Sequence, residues 1–292
     1  MNMKILVTGP VHLKMKKKLE TIGEVDYREV SGKELEDVIG DYEIVVLRAE
    51  TVVDAKMIEK AKKLKILAKY GVGLDHIDIK AAEKAGIKVL NAPTSSTTSV
   101  AEHAIMLTLA TIRQLPTANK SVLNGEWNKN AILGMELEGK TVGLLGYGMI
   151  GRAIASRLRA FGCNIIFTDP NVFMNGKVQI DQLFEKSDIL VITAPLNKST
   201  YHLVDEEKLR KMQEGAFLIN VSRGAVIDMD GLEISVARLG GVGLDVFEEE
   251  PPKIRPFMKQ DNVILTPHVA SNTTEARIDV ARELFERIKR EL

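Results

Sequence analysis

The 292-residue chain holds one cysteine, Cys163, and no excess charge of either sign, since 40 Lys and Arg balance 40 Asp and Glu. A single cysteine excludes an internal disulfide framework. With no base beside it in the sequence, Cys163 in its apolar strand reads as core packing rather than as a nucleophile. Charge balance removes the field that recruits nucleic acid or an anionic membrane surface, so neither is an expected partner, and the lysine run Lys14 to Lys18 reads as the wet face of a helix. No apolar run approaches the roughly 20 residues that span a bilayer. MNMKILVTG leads into a strand pattern rather than a signal peptide, and a cytoplasmic protein is expected. Histidine, cysteine and acidic residues nowhere take up ligand spacing, so no metal is expected. Sequence repeats and low-complexity tracts are also missing.

What is present is an alternation. The runs KILVTG, EVDYREV, EIVVLR, LKILAKY and IKVLNAP are separated by charged amphipathic stretches such as DAKMIEKAKK, the rhythm of parallel α/β layers. A polar patch, TSSTTS, then precedes the apolar helix AEHAIMLTLATIRQL. A second series follows: TVGLLG, NIIFTD, DILVITAP, AFLINVS, GVGLDV and NVILTP. Two doubly wound parallel sheets are expected, one on each side of a boundary near residues 94 to 98. The final segment, Thr273 to Leu292, is a periodic helix with no strand after it, and is expected to return to the first domain.

TVGLLG runs into Gly146, Gly148 and Gly151 and then the helix MIGRAIASRLRAF. In that context the first glycine allows a tight turn, the second lets backbone amides approach a pyrophosphate, and the third lets helix and sheet pack closely. Asp169 ends the next strand 18 residues beyond Gly151, where an acid binds the adenosine ribose hydroxyls. Its charge disfavours a 2′-phosphate, so NAD is expected over NADP. The expected dinucleotide contacts are Gly146, Gly148, Met149, Ile150, Gly151 and Asp169, with Pro195 at the end of DILVITAP.

Ligands of such sheets bind outside the carboxyl ends of the strands. Ser222-Arg223-Gly224, Asp245 to Glu250 and Thr266-Pro267-His268 follow three successive strands, so an arginine, a carboxylate and a histidine can converge there. Reduction of a 2-keto acid leaves charge on oxygen, which calls for a fixed cation and a proton donor at that place.

NVSRGAVID, GLDVFEEEPP and LTPHVAS together resemble the D-isomer-specific 2-hydroxyacid dehydrogenases. KYGVGLDHID, VLNAPTSSTTSVAEHA and LEGKTVGLLGYGMIG fit the same family in the same order, over nearly the whole chain. The resemblance implies a Rossmann NAD-binding domain, residues 96–273, inserted into a flavodoxin-like substrate domain, residues 1–95 and 274–292. It implies that Arg223 grips the substrate carboxylate and polarises the keto oxygen, that Glu250 pairs with the histidine, and that His268 exchanges the proton. Glu250 is chosen over Glu248 and Glu249 because it precedes Pro251. Val72 and Gly73 would offer amides to the substrate carboxylate, and Asp245 would lie near the nicotinamide carboxamide, with a structural strand-end acid as the alternative. His76 and His103 lack carboxylate partners in their motifs and are taken as non-catalytic.

Two features depart from the family pattern. Met149 stands where an arginine often follows the second glycine, and both the region after Asp169 and ARLGGVGLDV look short, as in a trimmed nucleotide domain. The chain stops after its last helix, so the regulatory extension of some serine-pathway members is not expected. Arg48 and Lys69 end neighbouring strands and are expected to hold a substrate phosphate, because LRAET resembles the phosphate-contacting segment of phosphoglycerate dehydrogenases. The small-molecule 2-keto or 2-hydroxy acid expected is therefore the 3-phosphoglycerate/phosphohydroxypyruvate pair of serine biosynthesis, with glyoxylate or hydroxypyruvate reduction as the alternative. An NAD-gated, protein-binding corepressor keeps the same three residues, but no disordered or charged tail serves such a role here. The helix AEHAIMLTLATIRQL is apolar on more than one face, and a homodimer through the nucleotide domain is expected.

Overall fold

The computed structural model describes residues 3–48 and 51–292. Its strands are β1 (Met3–Val7), β2 (Gly23–Tyr27), β3 (Ile44–Leu47), β4 (Ile66–Lys69), β5 (Lys88–Leu90), β6 (Thr141–Leu145), β7 (Asn164–Thr168), β8 (Ile189–Ile192), β9 (Phe217–Asn220), β10 (Gly241–Leu244) and β11 (Val263–Leu265). Each lies on one of the runs set out in the sequence, β1 and β2 beginning one residue earlier. β3, β8, β9 and β10 are buried at every residue, because helices cover both faces of a parallel sheet and leave no wet side to alternate with.

The chain divides into two compact units, Met1–Ser96 with Asn272–Leu292, and Thr97–Ser271. In the first, five parallel strands lie in the order β2-β1-β3-β4-β5, the flavodoxin-like arrangement. The pleat sends Ile5 and Val7 to one face and Leu6 to the other, and each face has its own apolar cluster. The helix Thr274–Arg290 covers the first of these faces with Val280, Ala281, Leu284, Phe285 and Ile288, a helical spacing. Thr273 caps it, its Oγ1 accepting from the Ala276 amide at 3.1 Å.

The second unit holds six parallel strands in the order β11-β10-β9-β8-β6-β7. Beyond β7 the chain makes one further bridge, Phe167 to Lys177. With that bridge taken as the remnant of an edge strand, the order is the doubly wound one, its direction reversing between β6 and β8. The short segment after Asp169 thus trims an edge and leaves the reversal point intact.

The structure corrects three details. The first long helix of this unit spans Thr97–Ile112, so it begins inside the polar TSSTTS patch, whose hydroxyl side chains favour a helix start. It ends before Gln114, which has left-handed backbone at φ 50° and starts a second helix, Leu115–Leu123, with a proline in its first turn. The apolar faces of Thr97–Ile112 are spent within the unit, against β9, β10, β11 and the helix Met149–Ala160, and Met106 alone among its large apolar residues is strongly exposed. Cys163 lies in the turn before β7, buried, its thiol donating to the Leu137 carbonyl at 3.4 Å. Burial pushes that thiol above its ordinary range, as suits an inert packing residue.

Candidate active site

The turn after β6 is shaped by three glycines for three reasons. Gly146 has φ 98°, and a Cβ there would stand 2.7 Å from the Ala194 amide nitrogen, so only glycine lets the turn cross the end of β8. A Cβ on Gly151 would lie 2.5 Å from the Gly146 carbonyl, which fixes how closely helix and strand approach. At Gly148 a Cβ would meet nothing within 4 Å. Gly148 caps the 12-residue helix Met149–Ala160 with no side-chain bond to its first amides, the arrangement that accepts an anion. Met149 is exposed at the first helical position, Ile150 is half-buried beside it, and Pro195 is exposed after β8. The Pro195 carbonyl accepts from Thr200 Oγ1 at 2.6 Å.

Asp169 is tied to the same turn. One carboxylate oxygen accepts from the Tyr147 amide and the other from the Asn171 amide, both at 2.8 Å. An ionised carboxylate has about four acceptor positions, so each oxygen keeps capacity for a ribose hydroxyl. An open second glycine, an uncapped helix start and this acid together fit a dinucleotide.

At the ends of β9 and β10 the backbones press together. A Cβ on Gly224 would lie 1.9 Å from the Phe247 carbonyl carbon, so the Arg223 loop packs directly on the loop that carries the glutamates. Arg223 is half-buried and donates Nη1 to the Ser222 carbonyl at 2.7 Å. The three adjoining glutamates separate by partner. Glu248 meets His202 Nε2 at 3.2 Å, Glu249 meets Lys253 at 3.3 Å, and Glu250 Oε2 lies 2.7 Å from His268 Nδ1. The other oxygen of Glu250 accepts from the Phe247 amide at 3.0 Å.

A carboxylate can only accept, so the bond to Glu250 fixes a proton on Nδ1 of His268 and leaves Nε2 as the ring nitrogen outside that bond. His268 has φ 50°, a left-handed conformation that a non-glycine residue holds only when its surroundings enforce it. Its amide donates to the carbonyls of Asp245 and Thr266 at 2.8 and 3.0 Å.

Asp245 has partners other than the expected carboxamide. Its side chain is fully buried, accepting from Thr266 Oγ1 at 2.6 Å and from the Val269 and Ala270 amides at 2.9 Å each. His103 Nε2 lies 3.2 Å from the same carboxylate and 3.0 Å from Thr266 Oγ1. His103 therefore does have a carboxylate partner, supplied by a loop more than a hundred residues away in sequence. The signal available was a lone histidine on an otherwise apolar helix. Burial alone pushes the Asp245 carboxyl up, but the bonds from His103, Thr266 and the two amides outweigh it and hold the group below its ordinary value.

In the first unit Arg48 follows β3. It donates Nε to the Pro10 carbonyl at 3.0 Å, and its guanidinium lies 5.4 Å over the Tyr70 ring. Lys69 ends β4 and is half-buried. Val72 and Gly73 sit in the loop after it, where the Val72 carbonyl accepts from Asn91 Nδ2 at 2.6 Å. In the LRAET segment, Ala49 and Glu50 lie outside the described residues. Among the described residues no group of three or more His, Cys, Asp or Glu side chains could hold a metal ion, and no helix is long and apolar enough to cross a membrane.

The chain belongs to the D-isomer-specific 2-hydroxyacid dehydrogenase family: residues 105–270 match the model of that family's NAD binding domain. It is 40% identical over 99% of its length to a D-3-phosphoglycerate dehydrogenase of Methanocaldococcus jannaschii, and spans 57% of that relative. Against a hydroxypyruvate reductase of Thermotoga maritima it is 42% identical, the match covering 92% of this chain and 91% of the relative. The D-lactate dehydrogenase of Aquifex aeolicus, solved with NAD and lactic acid, superposes with a TM-score of 0.89 at 27% identity, over 98% of this chain and 94% of that one.

The Asp245 network carries a pH signature. Because the folded carboxyl titrates below its ordinary value of 3.8, the native state binds that proton less readily than the unfolded chain. Its stabilisation is full above the ordinary value and is lost as pH falls through the depressed one. Asp245→Asn sets an amide NH₂ against backbone donors and is expected to cost about 2–4 kcal/mol at pH 7. Urea unfolding of both proteins across pH should show the gap closing only on acidification below the ordinary carboxylate range.

Proposed function

We propose that the chain is an NAD-dependent oxidoreductase that moves a hydride between nicotinamide and C2 of a D-2-hydroxy acid/2-keto acid pair. The observation that carries this reading is the Glu250–His268 contact at 2.7 Å, next to a strand end that presents Arg223. When bound, the nicotinamide supplies or takes up the hydride. The chain's own residues handle charge and proton. The Arg223 guanidinium pairs with the substrate carboxylate and polarises the keto oxygen. His268 Nε2 gives its proton to that oxygen during reduction and takes it back during oxidation. Glu250 holds the imidazole with Nε2 outward. Asp169 favours the unphosphorylated ribose of NAD, since a 2′-phosphate would meet its negative charge.

For the substrate we favour a phosphorylated acid, as in a phosphoglycerate dehydrogenase, with Arg48 and Lys69 as phosphate contacts and Val72 and Gly73 as carboxylate contacts. What supports it is Arg48, a cation at a strand end whose described neighbours are a carbonyl and an aromatic ring rather than an acid. Reduction of glyoxylate or hydroxypyruvate is the second reading, and the identity to the T. maritima reductase favours it. For assembly we propose a homodimer through the second unit, where Leu115, Val122, Leu123, Trp127 and Leu133 are all more than half exposed and would be covered in a dimer.

His268→Asn should fold and bind NADH, yet lose about 10²–10⁴-fold in the reduction rate of 2-keto acids, checked by the loss of NADH absorbance. Arg48→Ala should raise KM for phosphohydroxypyruvate about 10- to 150-fold, the range of one charge-assisted contact, while hardly changing glyoxylate reduction. Equal effects on both substrates would move the protein to the second reading. Light scattering at micromolar concentration should give a dimer mass, and Trp127→Glu with Leu133→Glu should give a monomer that is still folded by circular dichroism.

A further inference from the structure

We propose that His103 is a positioning residue for His268, acting through Thr266 and Asp245; the inference rests on the proton-exchanging role read for His268. The proton inventory carries it. Thr266 spends its hydroxyl hydrogen on Asp245 Oδ1 at 2.6 Å, so the oxygen it turns toward His103 can only accept. Asp245, ionised, can only accept as well. His103 Nε2, 3.0 Å from the one and 3.2 Å from the other, is therefore the donor to both.

That donor completes a buried carboxylate that organises the whole turn. The carbonyl and two carboxylate oxygens of Asp245 take the amides of His268, Val269 and Ala270, three in succession. These bonds hold His268 at φ 50° and so aim its imidazole at Glu250. Without the His103 proton, the Thr266 oxygen loses its donor and only its own bond to Asp245 still holds it. The carboxylate keeps the Thr266 hydroxyl and two amides but loses its ring N–H donor in a place that water does not reach, where a lost bond to a charge is costly. The turn relaxes, and the His268 ring leaves the line from Glu250 to the substrate. His103 touches neither His268 nor Glu250 among the described contacts, and its effect is on geometry alone.

The test compares His103→Leu, which removes the donor, with His103→Gln, whose amide NH₂ restores one. With NADH and a 2-keto acid that the wild type reduces, His103→Leu is expected to lower kcat about 10- to 100-fold, the penalty of a catalytic group set slightly astray. KM for NADH should stay within about threefold, and His103→Gln should recover most of the loss. A His103→Leu enzyme with wild-type kcat overturns the inference, as does a His103→Gln enzyme no better than the leucine variant. If His103→Leu does not fold, Thr266→Val breaks the same link, and wild-type kcat in that variant overturns the inference. A second readout needs no turnover: the downfield Nδ1 proton signal of His268 in NMR, assigned by its loss in His268→Asn. It should vanish in His103→Leu and return in His103→Gln, and its persistence in the leucine variant overturns the inference. A wild type inactive on every keto acid would count against the function reading, and the NMR comparison would still decide this one.

Discussion

Parallel pairing puts the carboxyl end of every strand in a sheet at the same edge, and everything functional in this chain follows from that constraint. In the second unit the edge collects the glycine turn after β6, Pro195 after β8, Arg223 after β9, Asp245 to Glu250 after β10 and His268 after β11. Because β9, β10 and β11 are neighbours, their three loops touch, and Gly224 lets two of them meet backbone to backbone. A side chain at that position would push Arg223 away from the loop of Glu250.

The edge is held by a buried charge. Taking a carboxylate out of water is expensive unless it is fully hydrogen-bonded, and Asp245 accepts from a hydroxyl, two amides and an imidazole. The left-handed backbone of His268 costs on the order of 1–3 kcal/mol, whereas bonds to a charged acceptor contribute roughly 1.5–3 kcal/mol each. Two or more such bonds outweigh the strain, so the turn is determined by Asp245 rather than by the preference of its own residues.

The reduced edge beyond β7 shows which parts of the sheet are dispensable. One bridge at Lys177 replaces a strand, far from the reversal between β6 and β8, and the segment still returns a ladder bond from Val178 to Phe167. Trimming there leaves Asp169 and its bond to the glycine turn unchanged. Edge strands have one partner to lose, whereas a central strand has two.

The sequence by itself determined what local periodicity and local sterics can encode. Eleven runs marked eleven strands, and the central ones were apolar throughout because both of their faces are covered. The spacing of Gly146, Gly148 and Gly151 carried two steric demands and one open approach to a helix start, and the family resemblance, through Pro251, singled out Glu250 from its neighbours. The tertiary structure alone decided what depends on which loops meet. TSSTTS read as a polar patch ahead of the helix, yet the helix begins inside it, at Thr97, once the following apolar face has a sheet to cover. Asp245 read either as a neighbour of the nicotinamide carboxamide or as a structural strand-end acid, and His103 as a histidine with no carboxylate in its own motif. The two are 142 positions apart in the chain, and no local pattern reports a hydrogen bond between a helix and a strand end that only folding brings within 3.2 Å.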